Sequence, residues 1–108
     1  MTRFACLAAL LVASAAAAQS YPNRAVKVIV PWTPGQATDI AARVVAQKLQ
    51  EALGQAFVID NKPGAGGAIG TDAVAKSPPD GYTLLAASSG PLSIMPNLQK
   101  TPYEQLND

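Results

Sequence analysis

The stretch AVKVIVPWTPGQATDIAARVVAQKLQEALGQAFVID, residues 25–60, decides the fold. It begins with a β-branched run at residues 25–30, which Pro31 ends, and such a run predicts a buried strand. A second apolar run at residues 57–59 predicts another strand. The residues between the two runs have helical periodicity, so the stretch predicts a strand–helix–strand unit.

The helix of this unit has recognisable ends. A turn-rich loop precedes it, Thr38 or Asp39 can cap its first turn, and Gly54 is placed to stop it. Its apolar residues recur at helical spacing and are Ile40, Ala41, Val44, Val45, Leu49, Ala52 and Leu53.

The pattern then repeats. A glycine-rich loop at residues 61–67 leads into a short helix at about residues 68–76, and a turn at 77–81 leads into a third strand at 83–87. Residues 88–91 open a further helix, with proline suited to its first turn.

Strands and helices that alternate in this way form right-handed βαβ units around a parallel sheet, so the fold class is α/β. In such sheets ligands bind beyond the carboxyl ends of the strands, at the switch point of the topology. With strand order 2-1-3, the loops at residues 33–38 and 88–91 lie side by side there. Because each loop ends at a helix N-terminus, the site favours an anion and can hold a carboxylate without arginine.

Length and composition narrow the class of protein. The 108 residues are 49% hydrophobic and 14% charged, with a formal net charge of +1. One ordinary domain at most is expected, and disordered tails, collagen-like repeats and disulfide scaffolds are excluded. Because basic and acidic residues are nearly balanced, the net charge does not indicate nucleic-acid binding.

Residues 1–18 have the form of a cleavable signal peptide. Arg3 precedes an apolar run at residues 4–13, and Ala16-Ala17-Ala18 offers the cleavage site. A buried N-terminal helix is the alternative, whereas a membrane span needs about 20 strongly apolar residues. We therefore expect a periplasmic protein with no membrane span after cleavage.

The remaining residues, 19–108, contain no cysteine and no histidine. This excludes catalysis by either side chain, and thiolate or imidazole metal sites, within that range. The glycines from Gly64 onward fail the dinucleotide fingerprint, because Ile69 stands where its last glycine belongs. No P-loop occurs, so no cofactor is predicted.

The segments NKPGAGGAIG, residues 61–70, and PPDGYTLL, residues 78–85, resemble the tripartite tricarboxylate transporter substrate-binding proteins, or Bug-type periplasmic receptors. The resemblance covers the whole chain after residue 18. It implies a two-lobed, type II-like periplasmic binding protein that closes over a small carboxylated solute, an organic acid or an amino acid. It also implies membrane permease subunits as partners. At ordinary domain sizes, residues 19–108 are expected to form an incomplete first lobe.

The resemblance also implies a ligand site. The family's loop after strand one carries Pro-Gly-Gly and an aspartate, and its backbone helps to hold the ligand carboxylate. Gln36 departs from this pattern at the second glycine, where a side chain can fill the pocket, add a hydrogen bond or strain a backbone that needs positive φ. The predicted ligand-binding residues are Trp32, Pro34, Gly35, Gln36, Thr38, Asp39, Ser88, Ser89 and Gly90.

Several of these residues have a purely structural alternative. Asp39 can serve as a helix cap, Trp32 can pack beneath the cleft, and Ser88 and Ser89 can end a strand and cap a helix. The glycine-rich segment more often indicates tight packing, and Asn61 can simply initiate its turn.

A second function class stays open on sequence grounds. A secreted α/β hydrolase or isomerase, with catalytic residues beyond residue 108, fits the same strand–helix pattern. Residues 1–108 lack both a Gly-x-Ser-x-Gly elbow and a histidine, which counts against the hydrolase.

Overall fold

The computed structural model describes residues 20–104, so the predicted signal peptide lies outside the described residues. The strands are β1 (Val26–Val30), β2 (Phe57–Asn61) and β3 (Thr83–Leu85), and the helices are α1 (Ala37–Leu53), α2 (Ala68–Ala75) and α3 (Met95–Leu98). A 3-10 turn (Ala65–Gly67) precedes α2, and a π-helical turn (Gly90–Ile94) precedes α3. Within residues 20–104, no helix combines the length and the apolar character needed to cross a bilayer.

The three strands form one parallel sheet in the order β2-β1-β3, which confirms the predicted fold class. Val26 lies opposite Phe57 on one side of β1, and Ile29 lies opposite Leu85 on the other. The crossover from β1 to β2 and that from β2 to β3 run in opposite directions across the sheet. Because such crossovers are right-handed, α1 and α2 cover opposite faces.

The core lies between α1 and the sheet. Val26, Val28, Ala46 and Phe57 form its buried cluster, since alternate residues of β1 and β2 face the same helix. Around that cluster pack the half-buried side chains of Leu49, Ile59, Tyr82 and Ala86.

Helix α1 begins at Ala37, before both of the predicted caps, Thr38 and Asp39. Its N-cap is Gln36, which makes no side-chain capping bond, so Thr38 and Asp39 lie inside the first turn. The predicted stop is confirmed: Gly54 adopts φ +74°, and its N–H donates to the Gln50 carbonyl at 2.9 Å.

The packed face of α1 is not the face with the largest apolar side chains. Ala42 and Ala46 are buried against the sheet, whereas Ile40, Val44 and Val45 are 56%, 58% and 56% exposed. Small alanines let the helix backbone approach the strands closely, and the larger residues point where no described element covers them. The apolar pattern therefore identified the helix, but only some of its members, such as Leu49, pack on the core.

Strand β3 ends at Leu85, two residues before its predicted end. Its last ladder bond runs from the Ala86 N–H to the Ile29 carbonyl at 2.9 Å. The chain beyond Ala86 leaves the ladder and turns into the loop at the carboxyl edge.

Candidate functional site

The carboxyl ends of β1 and β3 are neighbours, as strand order 2-1-3 requires. The loop after β3 continues beside the end of β1, and Thr38 and Ala87 line the same groove. The structure therefore brings the two predicted ligand loops, residues 33–38 and 88–91, to one edge of the sheet.

In the first loop, only Gly35 needs a left-handed backbone. Gly35 has φ +90°, whereas Gln36 has φ −72° and ψ 163°, an extended conformation that any residue adopts. Gln36 is exposed, so its amide extends from an unstrained backbone at the entrance to α1. Of the three consequences considered for a glutamine at this position, backbone strain is excluded.

The first turn of α1 presents free backbone donors. The first intrahelical hydrogen bond runs from the Ile40 N–H to the Gln36 carbonyl at 3.0 Å. The N–H groups of Ala37, Thr38 and Asp39 therefore have no acceptor within the helix. With the positive end of the helix dipole, they form a place where an anion is stabilised.

Asp39 is buried behind this turn, with 2% of its surface exposed. Its carboxylate accepts hydrogen bonds from the Gly35 N–H at 2.9 Å, the Asn61 side chain at 2.9 Å and Arg43 Nε at 3.0 Å. The hydrogen bond from Arg43, followed by those from Gly35 and Asn61, lowers the pKa of Asp39 to about 2. Asp39, the third residue of α1, thus accepts a hydrogen bond from the loop before the helix. This supports a capping role for Asp39, exerted from the third helical position and not from the N-cap.

Asn61, the last residue of β2, joins two elements that the sequence does not connect. Its Nδ2 donates both to the Trp32 carbonyl at 3.0 Å and to Asp39, and its Oδ1 accepts from Arg43 Nη2 at 3.2 Å. From the sequence alone, Asn61 is expected only to initiate a turn, and no role is predicted for Arg43. Two features of the sequence could have indicated these contacts. Asp39 and Arg43 are four residues apart on one helix, and Asn61 is a polar residue at the end of a strand.

Trp32 lies where the two predicted ligand loops meet the glycine-rich loop. A Cβ added to Gly67 would stand 3.3 Å from Trp32 Cζ2 and 3.1 Å from Pro91 Cγ, so the glycine-rich loop is in tight contact with both side chains. Trp32 is half-buried, and its Nε1 is buried with no hydrogen-bond partner among residues 20–104. The packing interpretation of the glycine-rich segment is supported, and Trp32 packs under the loops.

The second loop offers hydroxyl groups. Ser89 is exposed and Ser88 is half-buried, and the Ser89 side chain makes no capping hydrogen bond. The helix that follows consists only of the π-helical turn and the four residues of α3, so its dipole is short. The second loop thus ends at a helix N-terminus, as predicted, and its hydroxyl groups provide further donors.

Tyr103 fixes the base of this second loop. Its hydroxyl donates to the Pro91 carbonyl at 2.6 Å, and the ring is buried. Burial, and then the negative charge of Asp72, raises the pKa of Tyr103, so the hydroxyl remains protonated and keeps donating.

An apolar groove extends from Thr38, in the first turn of α1, along the helix. It has a volume of about 350 Å³ and runs between α1 and β3, where Val28, Val45, Leu49 and Leu84 form much of its wall. No charged side chain lines it, and apolar side chains form most of its wall. Among residues 20–104, no group of three potential acidic, histidine or cysteine ligands could hold a metal ion.

Comparison with known proteins adds independent information. A family model described as the tripartite tricarboxylate transporter family receptor matches residues 41–108. The protein BugT of Bordetella pertussis is 47% identical over 118 aligned residues, covering 100% of this chain and 35% of BugT. The chain thus spans about a third of the length of curated relatives that it matches.

Solved structures agree with the architecture. A periplasmic transporter structure, 45% identical, has a TM-score of 0.76 and covers 80% of this chain and 29% of its own. An adipate-bound protein of R. palustris is 48% identical, with a TM-score of 0.60, and covers 61% of this chain and 22% of its own. The malate-bound MatC of Rhodopseudomonas palustris is 42% identical, with a TM-score of 0.58, and covers 60% of this chain and 22% of its own.

Proposed function

The chain belongs to the tripartite tricarboxylate transporter receptor family, and on that premise we propose that it supplies a carboxylate-binding half-site of a solute receptor. The observation that carries the proposal is the row of free N–H donors in the first turn of α1, beside the Ser88–Ser89 loop. These groups bind an anion without changing it chemically, which suits a receptor rather than an enzyme.

We infer that the ligand is a small dicarboxylate. Two relatives of similar sequence are bound to adipate and to malate in their structures, and both ligands are dicarboxylates. In this chain one carboxylate group would meet the N–H groups of Ala37 and Thr38 and the hydroxyls of Ser88 and Ser89. The amide of Gln36 adds a donor that a glycine would lack.

The other predicted residues shape this half-site. Pro34 and Gly35 bend the loop into α1, Gly90 leads into the π-helical turn, and Trp32 supports the loops from below. We place Asp39 behind the loop, because its buried carboxylate is bonded to protein donors and a like charge would repel the ligand.

The proposal extends to the longer protein that the relatives represent. A closing second lobe would cover the rest of the ligand, since small-molecule sites bury about 70% or more of their ligand. Such a receptor works outside the cytoplasm and delivers its solute to membrane permease subunits. Residues 1–18 then serve as the signal peptide, and N-terminal sequencing of the exported product should begin within a few residues of Gln19. A start at Met1 would contradict the export proposal.

Calorimetric titration of a chimera tests the binding function. The BugT chimera joins residues 1–108 of this chain to the part of BugT that follows the matched segment. Malate, succinate and adipate are titrated, with 1,4-butanediol as the uncharged control. We expect saturable binding of at least one dicarboxylate and none of the diol; a folded chimera that binds no dicarboxylate would contradict the proposal.

A further inference from the structure

We infer that Asp39 and Asn61 are positioning residues, which clamp the loop between β1 and α1 so that its donors face the ligand carboxylate. The inference rests on the proposed function, and it concerns how the site is held rather than what touches the ligand. Its basis is a hydrogen-bond network that joins the loop after β1 to α1 and to the end of β2.

The loop is held at two separate residues. Asn61 Nδ2 binds the Trp32 carbonyl at the start of the loop, and Asp39 binds the Gly35 N–H three residues later. Within the loop itself, the bond from the Gln36 N–H to the Thr33 carbonyl is longer, at 3.4 Å. The 2.9 Å bond to a buried, charged acceptor is therefore the stronger constraint on this segment.

Gly35 needs such a constraint. Glycine has more accessible backbone conformations than any other residue, and here it must stay at φ +90° for the next three N–H groups to point out of the helix end. A loop free to rotate at Gly35 would lose part of its binding energy in ordering these donors.

Arg43 makes the arrangement compatible with an anionic ligand. An unpaired carboxylate one turn below the site would repel the ligand's carboxylate. Arg43 Nε lies 3.0 Å from Asp39, and its side chain is 52% exposed, so it neutralises this charge from the far side of the helix turn. The network thus fixes the loop without adding net charge behind it.

The test uses three variants of the BugT chimera. Asp39→Asn keeps the shape but removes the charge, and Asn61→Ala removes the second clamp. Asp60→Asn is the matched control, because Asp60 is the preceding residue of β2 and, among residues 20–104, its carboxylate forms an ion pair with Lys62 alone, at 3.6 Å. Each variant is characterised by its thermal melt, by dicarboxylate affinity and by hydrogen exchange of the Gly35 amide in glycine-labelled protein.

We expect Asp39→Asn and Asn61→Ala to weaken dicarboxylate binding on the order of tenfold, consistent with the loss of a hydrogen bond to a charged group. Exchange of the Gly35 amide should accelerate on the same order in Asp39→Asn, and Asp60→Asn should change neither quantity by more than about twofold. A purely structural role would lower the melting temperature of the variants and leave the affinity of the folded protein unchanged.

The outcomes separate this inference from the proposed function. If the parent chimera binds dicarboxylates and both network variants bind them equally well, the positioning role is overturned and the function stands. If the affinity of Asp39→Asn falls while exchange of its Gly35 amide is unchanged, the role of Asp39 is overturned as well, because the effect does not pass through the loop. If the folded parent chimera binds no dicarboxylate, the proposed function fails first. Should Asp39→Asn not fold, Asn61→Ala alone decides.

Discussion

The Asn61 side chain, at the carboxyl end of β2, donates a 2.9 Å hydrogen bond to the buried Asp39 carboxylate, 22 residues earlier in the chain. The two residues meet because β2 lies beside β1, and α1 starts just beyond the end of β1. Through this bond, the end of β2 holds the loop between β1 and α1. This loop lies at the sheet edge where the free N–H donors of α1 are located.

Asp39 should make the stability of the protein depend on pH in acid. Its pKa falls from 3.8 to about 2 on folding, so it stabilises the native state fully above about pH 4. That contribution is lost as the pH falls towards 2, because the native carboxylate then becomes protonated too. Urea unfolding of the chimera and its Asp39→Asn variant should show a stability difference at pH 7 that shrinks between pH 4 and pH 2. A difference that stays constant over this range would contradict the prediction, and Asp60→Asn controls for a general loss of charge.

Gly70→Ala should destabilise the protein, although alanine is normally the better helix former. A Cβ at this position of α2 would stand 2.8 Å from the Lys62 carbonyl oxygen and 2.9 Å from Pro31 Cα, both backbone atoms. The strain of separating α2 from the end of β1 should cost about 1–3 kcal/mol in thermal or urea unfolding of the chimera. Gly90→Ala is the stability control, because its Cβ would come no closer than 4.0 Å to Ser88 Oγ. Equal melting temperatures for both variants would show that α2 packs less closely than the structure indicates.

Gln36→Gly should leave the fold intact and change dicarboxylate affinity. The backbone of Gln36 is extended, at φ −72°, and its side chain is exposed, so the change removes no packing. Loss or gain of one hydrogen bond to the ligand corresponds to about 1 kcal/mol. Calorimetry with a panel of organic acids measures it in the chimera. Identical affinities for every acid that binds would place Gln36 outside the site.

Trp32 should report ligand binding by its fluorescence. It is the single tryptophan in the chain, and its ring packs against Gly67 and close to the loop that carries Pro91. A dicarboxylate that orders these loops should shift or quench the indole emission. The chimera and its Trp32→Phe variant are titrated in parallel, so that their difference isolates this ring. A difference spectrum that does not change during saturable binding would argue against contact between the ligand loops and Trp32.

Residues 19–108 alone should be marginally folded or should aggregate, with no measurable affinity for organic acids. Ile40, Val44 and Val45 are more than half exposed on one helix, and exposed apolar patches of this kind favour association. The donors of one lobe also enclose only part of a ligand, whereas micromolar binding needs about 8 kcal/mol. A thermal melt and titrations with succinate, glutamate and an aromatic acid provide the test. Cooperative unfolding together with micromolar binding would refute the expectation.

Much of the fold follows from local sequence. The β-branched run before Pro31 identifies β1, Gly54 ends α1 within one residue, and the alternation of strands and helices gives a parallel sheet. These features depend on neighbours along the chain, such as backbone preferences, turn residues and periodicity, so the sequence expresses them directly. The proximity of the two predicted ligand loops also followed, once strand order 2-1-3 was assumed.

The tertiary structure decided what depends on distant residues. Ala42 and Ala46 are buried on the packed face of α1, whereas Ile40 and Val44, which belong to the predicted apolar pattern, are exposed, and the pattern alone does not separate the two faces. The role of Asn61 was invisible in sequence, because its partners, Trp32 and Asp39, become neighbours only when β2 pairs with β1. A hydrogen bond requires atoms within about 3 Å, and only the folded sheet brings those atoms that close.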